Sequence, residues 1–480
     1  MGSRARQSRE LSCGCPSRAC DQYSNPRAMR ITLALTDEIW LALLASLDIQ
    51  VETAAVLLVR EVHSGNETTL LARRILWVPD DAYETRERQR LVIRSMGWVP
   101  SLKEAAEDDC LAMFFHSHPG SRARPSAPDE LVNEQLREPF SLRTSRQYAS
   151  LILGGTRDEP YFTGTLGDSE TSIGKVRVVG PRLRIYHAED TSNSEKSAQT
   201  FDRQIRAFGR TGQDLLASLR VGVAGAGGTG SAVCEQLIRL GVGELLIVDD
   251  DVVSETNLTR IHESGQSDVG HPKATVVHDA AERIGLYSNV SPVIGRVTHA
   301  DNAQLLRHCD VIFGCTDDNG GRAVISRLAY WYLIPVIDCG FVVDVVDQHI
   351  RGLFGRVSTV FPGAACLICR GAFDPALAAA EALPVNERAR LAGEGYVPGL
   401  GEPDPSVVTY TTLVGSFAVN ELLTRLFGYG GEHPPTELLV RLHDRYLSNR
   451  SPAPRPDHYC VDRAVWGRGD QEPFLDQLWP

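Results

Sequence analysis

His116 and His118 close an apolar run, Leu111 to Phe115, and are followed by Ser126 and Asp129. Side chains repeat every second residue along a strand, so the two imidazoles of a His-x-His point the same way. Two nitrogen ligands and one carboxylate leave a zinc ion its fourth position for water, the composition of a hydrolytic centre. The stretch Ser126-Ala127-Pro128-Asp129-Glu130 also has the make-up of a helix start, with Ser126 as cap and acids in the first turn. The two readings agree, because a helix start would hold Asp129 rigidly.

A second chemistry-bearing stretch is Gly225-Ala226-Gly227-Gly228-Thr229-Gly230. It follows the buried-strand pattern of Val221 to Ala224 and precedes a helical stretch from Ser231 to Leu240. The next strand pattern, Glu244 to Val248, ends at Asp249, nineteen residues after Gly230. Strand, glycine turn, helix, strand and acid in this order predict a nucleotide-binding βαβ unit. The glycines admit a phosphate to the backbone, the helix start supplies positive potential, and the acid can accept from ribose hydroxyls. Alone, this unit suits a nicotinamide dehydrogenase equally well. Asn257, Arg260, Lys273 and Asp317 separate the two, since a dehydrogenase has no need of them. Arg260 and Lys273 can bind phosphates, and Asp317, after the strand pattern Val311-Ile312-Phe313, can hold magnesium.

The spacing of His116, His118, Ser126 and Asp129 resembles the JAMM/MPN+ metalloprotease family, whose members cleave ubiquitin-like proteins and isopeptide bonds. That family carries a distant Glu just before a buried strand. Glu52, ahead of Thr53 to Leu58, fits this context better than Glu61, which follows its apolar run. The resemblance implies zinc on His116, His118 and Asp129, lowering the pKa of water from about 15.7 to roughly 7. It implies Glu52 as the base that passes a proton to the leaving amine, and Ser126 as the oxyanion donor.

From Phe201-Asp202-Arg203 to about 427 the chain resembles the ThiF/MoeB/ubiquitin-activating enzyme family. The resemblance implies that Gly225, Gly227 and Gly228 line the phosphate turn and that Asp249 contacts ribose. Asn257, Arg260 and Lys273 would contact ATP and Asp317 would coordinate magnesium. Arg203 corresponds to the arginine that dimers of the family contribute to the partner's ATP, which implies a homodimer. Cys366 and Cys369 fall where some members place half of a structural zinc site. Cys460, with His458 beside it, is what remains for the other half. A closed site and plain reduced thiols both stay open.

These centres need two frameworks. Apolar runs at 54–59, 69–77, 111–115 and 149–153, with an amphipathic stretch from Glu130 to Leu136, predict an α+β JAB/MPN domain over residues 29–187. The polar, aperiodic stretch 188–200 reads as a linker. An α/β, Rossmann-like ThiF domain with a largely parallel sheet is expected over 201–450, then a tail, 451–480, that docks on it. Residues 1–28 are rich in Arg and Ser and read as a disordered or extraneous extension. Cys13, Cys15 and Cys20 receive no role.

With 42% hydrophobic and 23% charged residues the 480-residue composition is globular, and no apolar run is long enough for a membrane span. The formal charge of −12 speaks against a nucleic-acid partner. Eleven cysteines in so long a chain suit a reducing, cytoplasmic setting. Both halves point to the tail of a ubiquitin-like or sulfur-carrier protein ending in Gly-Gly, with a conjugating enzyme or sulfur donor next in line. Protein conjugation, sulfur-carrier activation and a non-catalytic scaffold all stay open at this stage. Phe373 to Thr409, where activating enzymes carry a nucleophilic cysteine, contains none, so the reaction is expected to stop at the acyl-adenylate.

Overall fold

The computed structural model describes residues 29–167, 171–188, 199–384, 386–388, 390, 405–477 and 479. The expectations for 1–28, for most of the linker and for residues 391–404 lie outside them.

The first sheet contains β1 (Arg30–Thr36), β2 (Ala54–Ser64), β3 (Glu67–Trp77), β6 (Leu111–Pro119), β7 (Ala149–Gly155), β8 (Pro160–Leu166), β9 (Ile173–Val179) and β10 (Leu183–His187). Its order is β10-β9-β1-β3-β2-β6-β7-β8, with β4 (Tyr83–Arg86) and β5 (Leu91–Ile93) forming a separate ribbon. Every residue of β6 is buried, which is why it reads as a continuous apolar run instead of an alternation. Met113 and Phe115 join the core on one face of the sheet. Ala112 and Phe114 join Phe140 and Tyr148 on the other. Phe114 meets Phe140 edge-on at 6.4 Å, which fixes the helix Ala127–Thr144 against the strand that carries the histidines. Truncating a buried Phe costs about 3–5 kcal/mol.

The second sheet contains β11 (Arg220–Ala224), β12 (Glu244–Asp249), β13 (Asn289–Ile294), β14 (Val311–Gly314), β15 (Val336–Val346), β16 (His349–Val360), β17 (Glu437–Arg441) and β18 (Tyr446–Arg450). The order is β13-β12-β11-β14-β15-β16-β17-β18. Strands β11 to β15 pair in parallel, and β15 to β18 add an antiparallel wing. Chain order reverses around β11, so a crevice opens at the carboxyl ends of β11, β12 and β14. No helix of the described residues is long and apolar enough to cross a membrane.

The two sheets share a core. Ala34, Val62, Leu71 and Val179 of the first pack with Trp331, Tyr332, Val465 and Leu475. Residues after Arg450 thus fill the space between the sheets: Arg307 pairs with Asp470 at 2.5 Å, and Arg73 donates to the Ala464 carbonyl at 2.7 Å. Fully buried Arg177 of β9 donates to the Cys309 carbonyl at 2.7 Å and pairs with Asp310 at 3.5 Å, which Lys175 also reaches at 2.8 Å. Removing one partner of such a buried set costs about 3–5 kcal/mol. Arg220 also pairs with Glu67, and Glu244 with Arg30 at 2.6 Å; Arg220, Glu244 and Asp310 stand at the amino ends of β11, β12 and β14. The crevice lies at the opposite ends.

Candidate functional site

Ala54 of β2 is the register partner of His116, so Glu52, just ahead of β2, comes to lie beside the histidine pair. Glu61 sits at the far end of β2 and faces His63 at 3.7 Å. His118 is the register partner of Gly154, where a Cβ would stand 2.5 Å from the Ser121 carbonyl oxygen and 2.6 Å from the Ala123 nitrogen. The missing side chain lets the loop after His118 cross close over β7 and deliver Ser126 and Asp129. Ser126 caps the helix Ala127–Thr144 in a capping box with Asp129.

The three donors expected to hold metal converge. His116 Nε2 lies 3.1 Å from His118 Nε2 and 3.2 Å from Asp129 Oδ1, and His118 Nε2 lies 3.5 Å from Asp129 Oδ2. A tetrahedron with bonds of about 2.1 Å has edges of roughly 3.4 Å, so the set fits one zinc ion. Glu52 Oε1 stands 3.7 Å from His118 Nε2. Burial, then Asp129, pushes the Glu52 carboxyl up to about 7. Burial pushes Asp129 up as well, but hydrogen bonds from His116 and Ser126 outweigh it and hold this carboxylate well below its usual range. The Ser126 hydroxyl donates to Asp129 Oδ2 at 2.6 Å.

In the second sheet a cleft of about 1090 Å³ opens at the carboxyl ends of β11, β12 and β14. Gly225, Gly227, Gly228, Asp249, Arg260, Lys273 and Asp317 all line it. Gly225 has φ +94°, and a Cβ there would lie 2.8 Å from the Cys315 carbonyl. The turn therefore requires glycine. Asp249 fixes the turn by accepting from the Ala226 N–H at 2.6 Å, and burial raises its carboxyl. Lys273 Nζ rests on Asp251 at 2.7 Å, and exposed Asp317 follows β14.

Asn257 and Arg203 are not among the residues that line this cleft. Asn257 is buried off the cleft, where its side-chain oxygen accepts the Ser254 N–H at 3.2 Å. Arg203 is exposed on the helix Asp202–Ser218 and does not line the cleft of its own chain. Arg322, Asp338 and Arg356 were not legible as site residues. The arginines line the cleft and flank Asp338, which is fully buried at the end of the strand pattern Val336-Ile337-Asp338. An acid directly after an apolar strand pattern was the one available signal.

Cys366, Cys369, His458 and Cys460 form a third group. Cys366 Sγ and Cys460 Sγ each lie 3.4 Å from His458 Nδ1, Cys369 Sγ lies 3.6 Å from it, and Cys369 and Cys460 stand 3.8 Å apart. Metal–sulfur bonds of about 2.3 Å give tetrahedral edges of roughly 3.8 Å, so this donor set fits a closed zinc site. The hydrogen bond with Cys460 pulls the Cys366 thiol down against the effect of burial. The second half of the site, His458 and Cys460, comes from the residues between the two sheets.

Residues 201–460 match the ThiF family model and residues 38–163 match that of prokaryotic homologues of the JAB domain. The molybdopterin-synthase adenylyltransferase of Escherichia coli is 32% identical over 146 residues, 30% of this chain and 59% of the relative. The SAMP-activating enzyme E1 of Haloferax volcanii is 32% identical over 161 residues, 34% of this chain and 56% of the relative. The adenylyltransferase and sulfurtransferase UBA4 of Yarrowia lipolytica is 32% identical over 161 residues, 31% of this chain and 40% of the relative. The chain thus spans less than two thirds of each of these relatives. Its matched segment, two parallel-sheet motifs and glycine turn make it a member of the ThiF family, fused to an N-terminal domain of the JAB type.

Proposed function

We propose that this chain works on the C-terminal tail of a ubiquitin-like or sulfur-carrier protein at two centres. One hydrolyses the bond after the tail, and the other adenylates the freed carboxylate with ATP. The observation that carries the hydrolytic half is the convergence of His116, His118 and Asp129 within 3.5 Å, with Glu52 beside them. What a zinc ion supplies there is Lewis acidity toward water and a carbonyl oxygen. Glu52 takes the proton of the attacking water at its carboxylate and delivers it to the leaving amine. Ser126 Oγ turns from Asp129 to the carbonyl oxygen as that oxygen gains charge.

In the cleft, Asp249 faces the ribose, Arg260 and Lys273 face the phosphates, and Asp317 holds magnesium. A carboxylate oxygen of the tail attacks the α-phosphorus, the bond from that phosphorus to its bridging oxygen breaks, and pyrophosphate leaves. The names of the three relatives, two adenylyltransferases and an activating enzyme, support this half. The UBA4 relative is also named a sulfurtransferase, which favours sulfur delivery as the second reading. ATP–pyrophosphate exchange with ubiquitin-like proteins ending in Gly-Gly tests the adenylation. Cleavage of the same proteins carrying a C-terminal extension tests the hydrolysis. A chain inactive in both with zinc and magnesium supplied would be a scaffold.

Two consequences are measurable. Ser126→Ala should keep its zinc and slow cleavage by about 10²–10³. Loss of the cap alone costs about 1 kcal/mol of stability, so a lowered Tm with unchanged turnover would reduce Ser126 to a cap. Second, ATP, magnesium and carrier should give pyrophosphate but no reductant-sensitive adduct on the chain, because Cys366 and Cys369 are committed to the Cys–His cluster. A thioester band that disappears in Cys366→Ala would overturn this and the zinc assignment together.

A further inference from the structure

The cleft has two chemically different ends. At the glycine turn its cations are engaged: Lys273 rests on Asp251 and Arg260 donates to the Thr256 carbonyl at 3.0 Å. The other end lies over β15 and β16. There Arg356 Nη2 lies 3.0 Å from Asp338 Oδ2, and Arg322 Nε lies 3.4 Å from Asp338 Oδ1. Asp338 is 0% exposed, against 16% and 21% for the side chains of Arg322 and Arg356. Arg356 is the register partner of Gly340, and a Cβ on Gly340 would stand 3.0 Å from Arg322 Nη2. The bare glycine is what lets the Arg322 guanidinium lie on the strand beside its neighbour. Arg322 Nε, Arg356 Nε and Asp338 Oδ1 have no hydrogen-bond partner, so this buried cluster is incompletely satisfied, a costly state.

We propose that Arg322 and Arg356, held in place by Asp338, bind the terminal carboxylate of the carrier tail next to the nucleotide. This assignment rests on the adenylation reading above. Two guanidiniums against one buried carboxylate leave one net positive charge, which a single carboxylate neutralises and a polyphosphate would exceed. Guanidinium forks pair with planar carboxylates through parallel hydrogen bonds. Phe341, Val342, Phe354 and Val440 give the same end of the cleft apolar walls, and Arg441, which also lines it, is paired with Asp444 at 3.2 Å. The apolar walls exclude water from an extended, side-chain-free tail and would offer little to a nucleotide's phosphates. The arginines touch the reacting group, whereas Asp338 is a positioning residue.

The test uses the full chain, a ubiquitin-like protein ending in Gly-Gly that supports exchange, and the same protein with a C-terminal carboxamide. The unmutated chain should bind the acid about 10–100-fold more tightly than the amide, the scale of one charged hydrogen-bonded pair. Arg356→Ala and Arg322→Ala should abolish that preference and raise the carrier KM by a similar factor, with the ATP KM within about threefold of the unmutated value. Arg356→Lys should recover part of the acid–amide preference. Asp338→Asn should lose it at unchanged ATP KM. If this buried variant does not fold, the arginine variants decide. An acid–amide preference that survives in both arginine variants overturns the assignment alone. A rise in the KM for ATP, or in that for pyrophosphate in the reverse reaction, with the carrier KM unchanged assigns the pair to the phosphates and overturns it equally. No exchange by the unmutated chain with any such carrier would remove the adenylation reading and this assignment with it.

Discussion

Glu52→Gln protein should bind zinc normally at His116, His118 and Asp129 and cleave a carrier fusion about 10²–10⁴-fold more slowly, the usual loss of a general base. The amide keeps the shape of the side chain and cannot take a proton. Glu52 is nearly buried and 3.7 Å from His118 Nε2, so the substitution leaves the three ligands in place. His118→Ala should lose both the zinc and the activity. Metal content by mass spectrometry alongside initial rates separates the two. Normal cleavage by Glu52→Gln with loss in Glu61→Gln would move the base to the other end of β2, which the register of β2 on β6 opposes.

The His–Asp cluster was legible because its information is local. His116, His118, Ser126 and Asp129 lie within one strand, one loop and one helix cap, where a two-residue period and a capping preference fix direction. The glycine turn was legible for the same reason, since the positive φ of Gly225 is a backbone demand that other residues rarely meet. The apolar runs at 54–59, 111–115 and 149–153 became β2, β6 and β7 because strands buried on both faces carry no polar interruption. What escaped was non-local. Arg322 comes from a helix and Arg356 from the antiparallel wing, where the pairing of Gly340 with Arg356 sets the latter beside Asp338. Nothing in their sequence spacing encodes that register. Asn257 has a second claim on its side chain. Its residue type suits a ligand contact, yet a local turn claims its side chain. Such competition is typical of Asn, Asp, Ser and Thr.

The packing between the sheets was equally illegible. The polar run near 190 reads as a linker and says nothing of how the parts it joins pack, whereas Arg177, Lys175 and Asp310 form a buried charged set across the boundary. The residues that close the Cys–His cluster continue directly into the segment filling this space: Cys460 belongs to the same core as Val62 and Leu71.

That arrangement gives the last prediction its sharpness. Asp317→Ala should slow ATP–pyrophosphate exchange by about 10²–10³, the scale of losing one preorganised electrostatic group, and leave carrier cleavage within about twofold of the unmutated rate. Asp317 is exposed in the cleft, so its loss does not disturb the core. Each centre lies at the end of its strand away from the shared core. From Ala54, beside the histidines, to Val62, in the shared core, β2 runs roughly 26 Å at about 3.3 Å per residue. From Arg220 at the boundary to Gly225 at the cleft, β11 adds roughly 16 Å. On the proposed function, a carrier tail cleaved at one centre would leave it before being adenylated at the other. Asp317→Ala mixed with Glu52→Gln should then convert an extended carrier to acyl-adenylate as fast, per intact centre, as the unmutated chain. A mixture markedly slower than that would mean that the tail passes between centres without release, and the geometry of the shared core speaks against it.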